Sequence, residues 1–174
     1  MKKLLVVVDY QNDFIDGALG FKGAELLAPR IAARIAETRA DGGDVIFTLD
    51  THSDDYLNTS EGKKLPIPHC IKGTDGHKLH PDIAALVREG DVIIEKPSFG
   101  STELYDRLRK SDYTDVELCG LVTDICVVSN AILAKTALPE AKVSVAKSLT
   151  ATADQAKYDA ALAILASVQI DVVE

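Results

Sequence analysis

Short apolar runs alternate with longer helix-like segments along the whole chain. Residues 4–8 are continuously apolar, a pattern typical of a central strand that is buried on both faces. The other predicted strands cover residues 44–49, 91–95, 115–121, 142–146 and 168–173, and the helices predicted between them cover residues 25–40, 81–89, 102–111, 126–137 and 154–167. Strands that alternate with helices favour a mainly parallel sheet covered on both faces. The pattern therefore predicts one α/β domain over residues 1–174, a three-layer α/β/α sandwich with a six-stranded sheet.

The segment from residue 50 to residue 80 breaks this rhythm. It has about thirty residues without a clear strand or helix pattern, and it carries all the histidines of the chain, His52, His69, His77 and His80. A loop that long inside a compact domain is usually functional. It also begins at the carboxyl end of a predicted strand, where the ligand sites of open α/β sheets lie. We therefore expect this segment to contribute to a functional site.

The composition of the chain argues against nucleic-acid-binding and membrane-associated functions. Of the 174 residues, 47% are apolar and 26% are charged, as in ordinary globular domains. Acidic residues outnumber basic ones 27 to 19, and no basic run is longer than a pair, so no nucleic-acid partner is expected. The longest apolar stretch near the start, residues 4–8, is too short for a membrane span or a signal-peptide core. We therefore expect no membrane partner, and we expect a cytoplasmic location.

Three residues with chemical capability stand at the ends of predicted strands. Asp9 follows the first strand, although Asp13 and Asp16 cannot be separated from it on spacing alone. Lys96 ends the third strand, where it can lower the pKa of a neighbouring thiol. Cys126 begins the helix after the fourth strand, and a helix N-terminus favours a thiolate and offers backbone N–H groups to an oxyanion. Each has a structural alternative when taken singly: a capping carboxylate, a solvated lysine and a buried cysteine.

The other two cysteines are weaker candidates. Cys119 lies inside a predicted strand, where an inert core thiol is expected, and Cys70 lies in the irregular segment, where its role stays open. Three cysteines are too few for a disulfide framework, and their spacing does not fit a paired zinc motif.

A second group of side chains has the chemistry of metal ligands. Asp50 and His52 point to the same side of an extended strand end, and Glu61 and His69 follow in the irregular segment. Two histidines and two carboxylates suit a divalent ion such as zinc, manganese or iron. The rival pair, His77 and His80, directly precedes Pro81 and is more typical of a helix entry.

Four blocks of sequence carry a family resemblance when they are taken together and in this order. They are VDYQNDF (residues 8–14), DTH (50–52) with PHCIKGT (68–74), EK (95–96) with Phe99, and GLVTDIC (120–126). The chain resembles the isochorismatase-like cysteine hydrolase superfamily, and within it is most similar to the nicotinamidases and pyrazinamidases. The resemblance covers residues 5–130 and implies a six-stranded parallel sheet flanked by helices.

By this resemblance the catalytic triad is Asp9, Lys96 and Cys126. Asp9 takes the thiol proton, Lys96 stabilises both charged partners, and the thiolate attacks an amide carbonyl. The resemblance also implies an oxyanion hole made by the backbone N–H groups of Val122 and Cys126. It implies a cis peptide bond between Val122 and Thr123.

The resemblance further implies one divalent metal ion, expected to be zinc, with iron and manganese as alternatives. The implied ligands are Asp50, His52, His69 and, matching the fourth ligand of some family members, Glu61. The expected role of the ion is to bind the pyridine nitrogen of nicotinamide and so to orient the carboxamide. Phe14 and Phe99 are the predicted pocket walls, and the chain lacks the tryptophan that many relatives use there.

The predicted function is that of a nicotinamidase, which hydrolyses nicotinamide to nicotinate and ammonia through a cysteine thioester, in NAD salvage. One alternative is another hydrolase of the same superfamily, acting on a carbamoyl or ureido compound or as an isochorismatase. Another is a binding protein that keeps the fold without catalysis. The resemblance leaves open whether the chain forms a homo-oligomer, since relatives are often dimers or tetramers.

Overall fold

The computed structural model describes residues 2–174 and contains one six-stranded sheet. The strands are β1 (Lys3–Val8), β2 (Asp44–Asp50), β3 (Val92–Lys96), β4 (Asp115–Leu121), β5 (Lys142–Ala151) and β6 (Asp171–Val173). All neighbouring strands are parallel, and their order across the sheet is β3-β2-β1-β4-β5-β6. The two central strands, β1 and β4, are therefore far apart in sequence but adjacent in space.

Helices cover both faces of this sheet, as predicted. They are α1 (Asn12–Ile15), α2 (Ala28–Ala40), α3 (Pro81–Ala84), α4 (Thr102–Leu108), α5 (Val128–Ala137) and α6 (Gln155–Ser167). Helices α1 to α3 pack on one face and α4 to α6 on the other. No helix within residues 2–174 is both long and apolar enough to cross a membrane. The predicted fold class is confirmed.

Residues 4–8 of strand β1 are all apolar because the strand lies between two hydrophobic cores. Leu5 and Val7 enter the core formed with α1 to α3, whereas Leu4, Val6 and Val8 enter the core formed with α4 to α6. These five side chains are at most 1% exposed. Alternate residues of a strand face opposite sides, so a strand covered on both sides needs apolar residues at every position.

Two predicted helices differ from the observed ones. The helix predicted from residue 25 begins at Ala28, after a 3₁₀ turn over Ala24–Leu27, because Pro29 suits the first turn of a helix. The helix predicted over residues 81–89 is the single turn α3. Beyond it the N–H of Arg88 donates to the carboxylate of Asp91, and this turn leads the chain directly into β3.

The ends of four further elements differ from the prediction by two residues or more. One of them is α4, which ends at Leu108 rather than at residue 111. Strand β5 continues beyond residue 146 to Ala151, with a register shift against β4 between Leu118 and Gly120. The last strand begins at Asp171 rather than at residue 168, because Gln169 adopts a left-handed conformation just after α6. The helix predicted from residue 126 begins as a π-helical turn over Thr123–Val127, which continues into α5.

Candidate functional site

The carboxyl ends of the four strands β1 to β4 meet at one edge of the sheet and bring the predicted catalytic residues together. Asp9 directly follows β1, Lys96 is the last residue of β3, and Cys126 lies in the π-helical turn after β4. All three are buried, with Asp9 at 0%, Lys96 at 1% and Cys126 at 4% exposure. We call these three residues the strand-end cluster.

A glycine makes the approach of β4 to β1 feasible at this edge. Gly120 pairs with Val8, and a Cβ atom at position 120 would lie 2.0 Å from the Val8 carbonyl oxygen. Gly120 also has a φ of 108°, which other residues rarely adopt. Asp9 itself has a φ of 45°, which turns its carboxylate out of the strand direction and towards the neighbouring strand ends.

The Lys96 ammonium is the centre of the strand-end cluster. Its Nζ lies 2.7 Å from Asp9 Oδ2 and donates to Cys126 Sγ at 3.4 Å. It also lies 3.4 Å from Asp50 Oδ1 and donates to the Ser98 carbonyl at 2.9 Å. One cation therefore contacts both the carboxylate and the thiol between which a proton would move.

Burial and mutual charge interactions shift the pKa values of all three residues of the strand-end cluster. Burial raises the pKa of the Asp9 carboxyl above its ordinary value, even though Lys96 acts in the opposite direction. Burial and the Asp9 carboxylate raise the pKa of the Cys126 thiol well above its ordinary value. Burial alone would lower the pKa of Lys96, but the charges of Asp9, Cys126 and Asp50 raise it instead. The ion pair of Lys96 and Asp9 together with a neutral Cys126 thiol has no net charge, and transfer of the thiol proton to Asp9 leaves that net charge unchanged.

Beside this cluster lie the predicted metal ligands Asp50, His52, His69 and Glu61, which we call the metal-ligand group. Asp50 Oδ2 lies 3.0 Å from His52 Nε2 and 3.3 Å from His69 Nε2. One ligand atom from each of these three buried residues lies within 4.8 Å of the others. Glu61 Oε1 is 3.8 Å from His52 Nε2 and 3.6 Å from His69 Nε2, so the fourth predicted ligand faces the same point.

The arrangement of this group fits a divalent metal ion. His69 Nδ1 lies 2.8 Å from the Ile67 carbonyl, and donation of its N–H there leaves Nε2 as the metal-binding nitrogen. Tyr56 packs edge-on against both imidazoles, with ring centroids 4.8 Å from His52 and 5.0 Å from His69. Two imidazole nitrogens and one or two carboxylates are a donor set that zinc, iron and manganese accept.

The rival histidines stand outside the metal-ligand group. His77 Nε2 forms a hydrogen bond with Thr51 Oγ1 at 2.8 Å, and His80 precedes α3 and packs edge-on against Tyr10. The structure also separates the acidic residues that spacing could not. Asp13 accepts a hydrogen bond from the Cys70 N–H at 2.7 Å, and Asp16 is exposed at the end of α1.

Two buried polar residues in the site were missed by the sequence reasoning. Gln11 Nε2 donates to the Asp50 carbonyl at 2.9 Å, and Gln11 Oε1 accepts from the Asp50 N–H at 2.8 Å. Thr48 Oγ1 donates to Asp9 Oδ1 at 2.6 Å. The alternation of side chains along an extended segment could have indicated both residues. Gln11 is two residues after Asp9 and Thr48 is two residues before Asp50, so each is expected on the same side as its neighbour in the site.

The turn after β4 corrects one expectation. The cis peptide bond joins Leu121 to Val122, one residue earlier than predicted, at the point where β4 ends. The Val122 carbonyl accepts hydrogen bonds from the N–H groups of Ile125 at 3.2 Å and Val127 at 3.1 Å, which closes the turn around Cys126. Val122 and Cys126, the predicted oxyanion-hole residues, thus belong to one tight turn.

A cleft of about 490 Å³ opens beside both groups. It is lined by His52, Thr59, Ser60, Glu61, Lys64, Leu65, Pro97, Ser98, Phe99 and Ile125. Phe99, one of the two predicted pocket walls, is 43% exposed and lines this cleft. Phe14 does not line it: the side chain is 5% exposed and packs edge-on against His69, so it supports that imidazole from within the core.

Comparison with known proteins identifies the family of the chain. A family model described as the isochorismatase domain matches residues 3–174. A nicotinamidase/pyrazinamidase from Mycobacterium tuberculosis is 32% identical in an alignment of length 139, and the match covers 72% of this chain and 74% of the relative.

Two solved structures share the whole fold. The pyrazinamidase of Pyrococcus horikoshii in complex with zinc has a TM-score of 0.87 at 25% identity, covering 100% of this chain and 99% of that chain. PnC1 from L. infantum in complex with nicotinate has a TM-score of 0.83 at 25% identity, covering 99% of this chain and 92% of that chain. Since the family model matches nearly the whole chain and the fold agrees throughout, the protein belongs to the isochorismatase family.

Proposed function

We propose that this protein is a metal-dependent nicotinamidase, which hydrolyses nicotinamide to nicotinate and ammonia through a thioester on Cys126. The observation that carries the proposal is the contact of one buried ammonium, Lys96, with both Asp9 and Cys126, directly beside the metal-ligand group. The relatives support the same substrate class, since they include a nicotinamidase/pyrazinamidase, a pyrazinamidase and a protein in complex with nicotinate. The corresponding biological role is the recycling of nicotinamide in NAD salvage.

The first half of the reaction forms the thioester. Cys126 Sγ attacks the carboxamide carbon while its proton moves to the Asp9 carboxylate, whose pKa burial raises towards that needed for a base. Lys96 remains an ammonium throughout and stabilises whichever of Asp9 and Cys126 carries the negative charge. Backbone N–H groups of Val122 and Cys126 are the proposed donors to the oxyanion. Asp9 then returns the proton to the leaving nitrogen, and the C–N bond breaks to release ammonia.

The second half of the reaction regenerates the thiol. Asp9, now a carboxylate again, takes a proton from a water molecule that attacks the thioester carbonyl. Collapse of this second tetrahedral species breaks the C–S bond and releases nicotinate, and Asp9 returns the proton to Cys126 Sγ, which restores the thiol and the carboxylate. Asp9 thus acts twice as a base and twice as an acid, which suits a carboxyl whose pKa lies above its ordinary value.

Residues in and beside the cleft are proposed to orient the substrate. Asp50, His52 and His69, with Glu61 as a fourth ligand, would hold a divalent ion that supplies a Lewis-acid contact to the pyridine nitrogen. Zinc is the expected ion, in line with the zinc complex of the Pyrococcus horikoshii relative. Phe99 gives the cleft an aromatic wall against which a planar ring can pack.

The proposal is tested by a substrate panel with a metal-removal arm. Zinc-loaded protein is incubated separately with nicotinamide, with an N-carbamoyl amino acid and with isochorismate, and ammonia and organic products are quantified. We expect equal amounts of nicotinate and ammonia from nicotinamide alone, loss of this activity on chelation, and its recovery on addition of zinc. Turnover of only the carbamoyl compound or only isochorismate would refute the nicotinamidase assignment, as would a lack of all turnover by protein with bound zinc.

A further inference from the structure

The cleft wall and the nucleophile are joined by a residue that neither the motifs nor the proposed reaction uses. Asn130 lies on α5, four residues after Cys126, and is completely buried. Its Nδ2 donates to the Cys126 carbonyl at 2.8 Å and to the Phe99 carbonyl at 3.0 Å. Its Oδ1 accepts from the Ser101 N–H at 2.9 Å. One side chain thus bonds the turn of the nucleophile to the segment that carries Phe99.

The segment in question covers residues 97–101 and connects Lys96 to α4. Two side chains bond to the backbone of this segment. Lys96 Nζ donates to the Ser98 carbonyl at 2.9 Å, and Asn130 bonds to the Phe99 carbonyl and to the Ser101 N–H. A Cβ atom at Gly100 would lie 2.8 Å from Leu133 Cδ1, so the segment lies directly against α5 at this point. The Phe99 side chain, 43% exposed, is less constrained than its own backbone.

The chemistry of the amide explains why asparagine stands here. A side-chain amide offers two N–H donors and a carbonyl acceptor on one rigid plane, and Asn130 uses all three functions on three different backbone groups. A buried polar side chain with every function paired is a strong positional constraint, because loss of one partner leaves others unsatisfied. Asn130 therefore directly restrains the distance from the Cys126 turn to the backbone of Phe99, in addition to the contacts of Lys96 and Leu133 with the same segment.

We infer that Asn130 is a positioning residue for substrate binding, which holds the aromatic wall Phe99 at a fixed separation from the turn of Cys126. The inference builds on the proposed function, since the separation matters most for a planar aromatic amide. It predicts that loss of Asn130 weakens binding of nicotinamide more than it impairs the chemistry of the thiol.

A double-mutant cycle with Phe99 tests this inference. In the wild-type background, Asn130→Ala should raise KM for nicotinamide about tenfold, the effect of one or two lost hydrogen bonds, and lower kcat much less. In a Phe99→Ala background the same substitution should change KM by less than about twofold, because the wall it positions is gone. An equal increase of KM in both backgrounds, or a fall in kcat with KM unchanged, would overturn the inference.

Two further variants guard against a purely structural explanation. Asn130→Asp keeps the acceptor for Ser101 but loses both donors, and it should raise KM as Asn130→Ala does. Ile35→Ala removes a buried side chain from α2 on the other face of the sheet, so it should lower the melting temperature but leave KM unchanged. A rise in KM for Ile35→Ala would show that general destabilisation, rather than Asn130, governs KM.

Amide hydrogen exchange gives a readout that needs no substrate. The Ser101 N–H should be protected in the wild-type protein and should exchange at least about tenfold faster in Asn130→Ala. Rapid exchange of this amide in the wild-type protein would refute the inference even if no variant folds. A lack of wild-type turnover would instead refute the proposed function, and the exchange rates would then decide by themselves whether Asn130 holds the segment.

Discussion

The strand-end cluster and the metal-ligand group lie side by side, yet the chain builds them in different ways. Asp9, Lys96 and Cys126 come from the ends of three strands, so the register of a parallel sheet brings them together. The metal-ligand group takes only Asp50 from a strand, and its other members come from the segment between β2 and α3. One group is positioned by the backbone of the sheet, and the other depends on side-chain contacts.

The contacts that support the two groups reflect this difference. In the strand-end cluster, Lys96 contacts its partners directly and Thr48 adds one hydrogen bond to Asp9. The metal-ligand group needs a surrounding scaffold: Gln11 bonds both backbone groups of Asp50, and Tyr56 packs against both imidazoles. The two groups touch at one point, the contact of Lys96 Nζ with Asp50 Oδ1 at 3.4 Å. We conclude that they are otherwise supported separately, and the following variants test that separation.

The largest expected effect on the strand-end cluster comes from Asp9→Asn. Loss of the general base should lower turnover of nicotinamide about a thousandfold. The Asp9 carboxylate raises the pKa of the Cys126 thiol, so its removal should lower that pKa and leave Lys96 to stabilise the thiolate. Alkylation of Cys126 by iodoacetamide near pH 7 should therefore become faster while turnover collapses.

The control for this variant is Asp16→Asn, which removes an exposed carboxylate outside the cluster and should leave both rates as in the wild type. A plot of alkylation rate against pH should move to lower pH for Asp9→Asn alone. A shift to higher pH would mean that the resting cluster is a thiolate with a protonated Asp9, contrary to the charge distribution described here.

The next largest effect is expected from His69→Ala, which removes one nitrogen from the metal-ligand group. Zinc affinity measured by calorimetry should fall by more than about a hundredfold, beyond the range typical of lost outer-shell contacts. The alkylation rate of Cys126 in the metal-free protein should stay within about twofold of the wild type, since the strand-end cluster is built separately. His80→Ala, at a histidine outside the group, should leave zinc affinity unaltered. A parallel loss of thiol reactivity in His69→Ala would show that the two groups are not separable.

The smallest effect is expected from Thr48→Val, which replaces a hydroxyl by a methyl group of similar size. The Asp9 carboxylate loses a hydrogen bond of 2.6 Å inside the core, and kcat should fall about tenfold, the typical value of a hydrogen bond to a charged group. Zinc affinity should not change. Thr48→Ser keeps the hydroxyl and should restore most of kcat, whereas the same loss in Thr48→Ser would mean that packing, not the hydrogen bond, is what matters.

The strand-end cluster was far more predictable from sequence than its surroundings. An apolar run followed by Asp9, and a glycine-containing turn followed by Cys126, are local patterns, and parallel pairing places their ends at one edge. The family motifs then separated Asp9 from Asp13 and Asp16, which spacing alone could not do. In the structure, too, Asp13 has a role different from that of Asp9, because it accepts a hydrogen bond from the Cys70 N–H.

Contacts between distant segments could not be predicted in the same way. Asn130 acts on Phe99 and Ser101, about thirty positions earlier in the chain, and nothing local at residue 130 marks it as more than a polar position on a helix. Phe14 was predicted as a pocket wall within the family resemblance, yet its ring faces inward against His69. The direction of an aromatic side chain depends on tertiary packing, which a single sequence does not contain.

The most direct test of the central claim is ammonia release from nicotinamide by Cys126→Ala at the same zinc occupancy as the wild-type protein. The account predicts normal zinc binding and a loss of turnover of at least about ten-thousandfold, as for other nucleophile deletions. Cys119→Ala, at a buried thiol in β4 that belongs to the opposite core, should keep wild-type turnover. Substantial ammonia release by Cys126→Ala would contradict a thioester mechanism and would assign the chemistry to another group.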